Sequence, residues 1–124
     1  MKLITKVTTL AALVFTTAAV AADAAQIRVK CERRADRSVI SIDGRNLAVG
    51  AYSANITSGA NSVDAALIHS IGDEVGFDFA SNQNDIAQGA VAVPSNFIQG
   101  SVTAKILTAD GFVVVSDTVA CRTR

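Results

Sequence analysis

Few residues in this 124-residue chain are of a type that does chemistry: two cysteines, one histidine and a short acidic run. Cys31 and Cys121 invite comparison with a metal site. Two cysteines and His69 cannot complete a tetrahedral zinc shell, and their spacing is not that of ligands. In an oxidising compartment the two thiols pair instead. Closing a loop of about 90 residues stabilises by about 4–5 kcal/mol in the chain-entropy model, an upper figure. Cys31–Cys121 is therefore expected as a disulfide.

His69 would serve as a base only if the fold gathered a serine and a carboxylate around it. Nothing in the order of residues does so, and a rim histidine accounts for it more simply. Asp73, Glu74, Asp78 and Asp85, with Asn82 and Asn84, have the oxygen-rich character that calcium prefers. They lack the glycine and distal glutamate of the twelve-residue calcium loop, and solvated loop ends account for them as well. With no methionine beyond Met1 and a single histidine, soft-metal carriage is excluded, and no glycine-rich loop offers a seat for a phosphate. No cofactor is expected.

Charge is informative by distribution. Lys and Arg together equal Asp and Glu, 11 against 11. Yet no Lys or Arg lies between Asn46 and Ala104, where Asp64, Asp73, Glu74, Asp78 and Asp85 lie, while the flanks carry the basic residues. Arg28, Lys30 and Arg34 share one face of a period-two pattern, and Arg122 and Arg124 close the chain. If the first and last strands are neighbours, these five form a basic patch suited to an anionic surface or an acidic partner. Glu32 in their midst and the lack of nearby aromatics argue against nucleic acid.

The elements that must position these residues are strands. Over residues 26–34, Ile27, Val29 and Cys31 alternate with Arg28, Lys30 and Glu32; over 111–122, Val115, Val119 and Cys121 alternate with Ser116, Thr118 and Arg122. Residues 38–43 pair with the first strand as a hairpin, and Asp43-Gly44 with Arg45-Asn46 reads as a turn. Strands follow over 51–57, 63–71, 75–80 and 99–108. In the fourth, His69 is expected on a face with Val63, Leu67 and Ile71. Residues 81–97 read as one irregular stretch, with a single helical turn at Ile86-Ala87-Gln88 capped by Asn84 or Asp85 and with Ile86, Val91, Val93 and Phe97 packing it down.

About seven short strands with turn signals about every 8–12 residues predict an all-β fold: a small antiparallel, immunoglobulin-like β-sandwich with one disulfide between first and last strands. The hairpin from Ser101-Val102-Thr103-Ala104-Lys105-Ile106 through Asp110-Gly111 to Val114-Val115 resembles the closing hairpin of many bacterial immunoglobulin-like domains. The chain departs from antibody-type domains in having no Trp and in placing its cysteines on the terminal strands.

At the start, Lys2 and Lys6, an apolar run over 10–20 and the small-residue sites Ala19-Val20-Ala21 and Ala22-Asp23-Ala24 predict a cleaved secretory signal peptide over 1–24. The run is too short for a retained span of roughly 20 residues. What remains, 25–124, is one domain by length, expected in the periplasm or secreted, and a bacterial source is expected. The function expected is that of an exported, non-enzymatic binding or surface-assembly protein whose partner is another protein or a second copy of itself. The rivals are a weak calcium or small-ligand module on loops 73–85 and a small secreted hydrolase using His69.

Overall fold

The computed structural model describes residues 24–124, so the signal peptide expected over 1–24 lies, apart from Ala24, outside the described residues. Two strands open the fold, β1 (Gln26–Arg34) and β2 (Arg37–Arg45), joined by a two-residue turn. Alternation drives both: Ile40 and Ile42 are fully buried, while their neighbours Ser41 and Asp43 turn outward. β3 (Ala51–Ser58) and β4 (Asn61–His69) form the next hairpin, and β5 (Val75–Ala80) returns to pair with β2. A short helix α1 (Gln83–Ala87) and β6 (Val91–Ala92) precede the closing hairpin of β7 (Ser101–Thr108) and β8 (Val113–Ala120), and β9 (Arg122–Thr123) ends the chain.

These elements make two sheets, one ordered β6-β5-β2-β1-β9 and the other β4-β3-β7-β8. β5 packs beside β4 and β1 beside β8, so the sheets stack as a sandwich with those pairs along its two sides. Phe77 and Phe79 of β5, Ile56 of β3, Val102 and Ile106 of β7, and Phe97 and Ile98 fill the space between. Burying each such side chain contributes about 1.5–3 kcal/mol.

The fold is the expected sandwich with Cys31 and Cys121 bonded, and several details differ from expectation. There are nine strands where about seven were expected, and two short pairs are parallel: β5 with β6, and β1 with β9. The strand expected over 111–122 is two strands. β8 pairs with β7, the chain crosses between sheets at Cys121, and β9 pairs with β1. The disulfide thus sits where the chain changes sheets, 90 residues from its partner in sequence.

Asp43, Gly44 and Arg45 belong to β2, and the turn comes only after them, at Asn46 with φ 58°. Gly44 faces inward, where a Cβ would lie 2.6 Å from Ile106 Cδ1, so its type is set by close approach and not by a turn. Helix α1 begins one turn earlier than expected, with Asn82 as its N-cap, and this cap makes no side-chain hydrogen bond.

Residues 93–99 are packed down, as their apolar spacing suggested, with Phe97 fully buried. Polar side chains from four strands hold their backbone. Ser38 Oγ donates to Ser95 O and accepts from Ile98 N–H, at 2.9 and 3.3 Å, and Ser58 Oγ donates to Ser101 O and accepts from Gln99 N–H, both at 2.6 Å. Asn61 and Arg33 donate to the carbonyls of Phe97 and Ile98. Ser38 and Ser58 are buried, and these bonds offset the cost of taking their hydroxyls out of water.

Candidate functional site

Charge is sorted onto the two sides of the sandwich. Parallel pairing places Arg122 beside Glu32 and Thr123 beside Arg33, which makes the first and last strands neighbours. Arg28, Lys30, Arg34, Arg122 and Arg124 are all exposed along that side. Glu32 pairs with Arg34 and Arg124, so one carboxylate is shared between two guanidinium groups and the side stays net positive. At such exposure these pairs are worth about 0–1 kcal/mol, so they shape the potential more than the stability.

The other side, built by β4, β5 and α1, carries Asp64, Asp73, Glu74, Asp78 and Asp85 and neither Lys nor Arg. Three of these acids line two depressions. Asp78 and Asp85 line one of about 530 Å³ between β4, β5 and the segment after α1, with Phe77, Phe79, Ala65 and Ile68 in its walls. Asp78 Oδ1 there accepts from Ser41 Oγ at 2.8 Å. Glu74 lines the other, of about 440 Å³, with Asp43 and His69. Among the described residues no three His, Cys, Asp or Glu side chains gather as a metal would need.

His69 is not on a face with Val63. Tyr52 pairs with Ile68 and Ala54 with Ala65, so β4 carries one extra residue across that interval. This bulge reverses the alternation beyond it, and His69, opposite Ala51, points away from the core. Among the described residues its imidazole makes no hydrogen bond, and the nearby Ser70 hydroxyl is engaged with Gly50 N–H and Gly72 O. The depression therefore holds a histidine and carboxylates, with no hydroxyl bonded to the ring among the described residues.

A feature not anticipated from the sequence lies beside each charged side. β8 and β4 are the outer strands of their sheet, each with one backbone edge unpaired. Phe112, just before β8, and Val113 and Val114 at its start are 72, 52 and 37% exposed, and Leu67 and Ile68 at the end of β4, with Ile71 just beyond it, are similarly uncovered. The signal was in the sequence: Phe112-Val113-Val114-Val115 is a continuous apolar run where a half-buried strand would alternate. Like-sized apolar clusters at a sheet edge mark contact sites more often than single exposed residues do.

No family model, curated protein or solved structure matches the chain. Among the described residues no helix is long and apolar enough to cross a membrane.

Proposed function

We propose that this chain is an exported, non-enzymatic β-sandwich whose role is to bind another protein or to assemble on a surface. The observation that carries the reading is the pairing of opposite charge with uncovered apolar edges: a basic side beside β8 and an acidic side beside β4. Charge of one sign steers an oppositely charged partner and sets its orientation, while apolar contact at a strand edge supplies affinity. The disulfide fits delivery to the periplasm or the outside, where thiols stay paired.

Crosslinking in the intact envelope of the source cell, followed by mass spectrometry, tests the proposal. Lys30 and Lys105 are the only lysines after residue 24, so a carbodiimide reagent joins few positions and its adducts are readily mapped. Discrete adducts through Lys30 or through the carboxylates of residues 64–85 are expected. Their absence under every crosslinking chemistry removes the reading.

A further inference from the structure

We infer that the partner is a second copy of this chain, joined head to tail, with β8 of one copy laid antiparallel along β4 of the next. This rests on the binding reading above and names its partner. Strand direction permits it. β3, β4, β7 and β8 are antiparallel to their neighbours throughout, so β8 and β4 at opposite edges run in opposite directions. A copy displaced across the strands therefore continues the ladder as an antiparallel pair, with the free N–H and C=O groups of each edge facing partners.

The levels also agree. Val113 pairs with Leu107, Leu107 with Ser53, and Ser53 faces the bulge of β4 at Ala66-Leu67. The apolar start of β8 and the apolar end of β4 thus sit at one end of the sheet, and displacement brings Val113 against Leu67 of the next copy. Each edge strand carries its extra residue at this level, so the two bulges meet and the rows beyond stay in step. One such row runs Asp64, Asn55, Lys105, Ser116, so Asp64 of the next copy would face Ser116 and not Asp117.

Charge selects the same arrangement. The displacement that joins β8 to β4 also brings the basic side, with Arg28, Lys30 and Arg122, to the acidic side, with Glu74, Asp78 and Asp85. A two-fold β8–β8 contact would instead set basic against basic. Neither β4 nor β8 contains Lys, Arg or Pro, the residues that commonly keep a strand edge from pairing. Because the two surfaces differ, the contact is heterologous, and sheet twist turns each copy relative to the last. The product is an open chain of subunits unless the rotation closes a ring.

The test is sedimentation velocity on the protein purified from an exporting bacterial host with its disulfide formed. Species beyond the monomer are expected, growing with protein concentration and receding at high salt. Val113→Lys and Leu67→Lys each place a charge on one edge at an exposed position, so folding, checked by thermal melting, is retained. Each variant alone is expected to weaken association at least about tenfold. An equimolar mixture of the two is expected to form a dimer and nothing larger, because one intact β8 and one intact β4 remain. Should either lysine variant misfold, Glu74→Lys, at an exposed turn, is expected to weaken association and lessen its salt dependence.

A parent protein that stays monomeric at every concentration and salt overturns the inference, as does association that survives both lysine variants. Loss in Val113→Lys with none in Leu67→Lys overturns it too, pointing to a two-fold β8 contact. A monomer that crosslinks in the envelope to a different protein defeats self-association and leaves the binding reading standing. A monomer with no adduct at all defeats both.

Discussion

Gly44 shows how a single side-chain position can be fixed by its neighbours across the core. It lies between Ile27 and Val75 in the register of one sheet, and it faces Ile106 of the other. An added methyl would meet Ile106 Cδ1 at 2.6 Å, Leu47 Cδ1 at 3.1 Å and Val75 Cγ1 at 3.2 Å, and all three residues are buried. Gly44→Ala is expected to cost about 1–3 kcal/mol by overpacking. Urea unfolding should show a lower midpoint at unchanged slope, and an unchanged midpoint would mean that the pocket relaxes around the methyl. The sequence favours a turn at Asp43-Gly44 because glycine is so often a turn residue. The role it plays here, room for a facing isoleucine, requires knowing which sheet lies opposite. His69 is the parallel case: alternation read along β4 gives the wrong face, because one extra residue at Ala66-Leu67 resets the period and no local residue announces it.

At the scale of elements, strand existence was legible and strand continuity was not. Alternation over 26–34, 38–43, 51–57 and 75–80 found β1, β2, β3 and β5, and the turn chemistry of Asp110-Gly111 found the β7–β8 hairpin. The crossing at Cys121 was hidden, since Val119 and Cys121 keep period-two spacing while the backbone leaves β7 and joins β1. Stability should follow pairing. β3 and β7 have neighbours on both sides and are the inner strands of their sheet, while β8 has one free edge and β9 spans two residues. Amide hydrogen exchange on the monomer is expected to be slowest in β3 and β7, and faster in β8 at the groups facing away from β7 and in β9. Uniform protection across β8 at a concentration where copies associate, lost on dilution, would be the exchange signature of a covered edge.

For the whole molecule, the Cys31–Cys121 bond joins the strand that opens the fold to the point where the chain changes sheets. It restrains a loop of 90 residues in the unfolded chain, worth about 4–5 kcal/mol in the chain-entropy model. Reduction, or Cys31→Ala with Cys121→Ala, is expected to lower the melting temperature markedly, and an unchanged value would show the bond idle. By itself the sequence determined the class of fold, the cysteine pairing and the separation of basic flanks from an acidic middle, because periodicity, thiol count and charge order are properties of the chain read locally. Only the tertiary structure decided where those charges face and which apolar residues stay uncovered. Stacking β1 on β8 and β4 on β5 turns a separation along the sequence into two opposite sides of one body. Which strand ends a sheet depends on pairings between residues far apart in the chain, and it is those pairings that leave Phe112 and Leu67 in water.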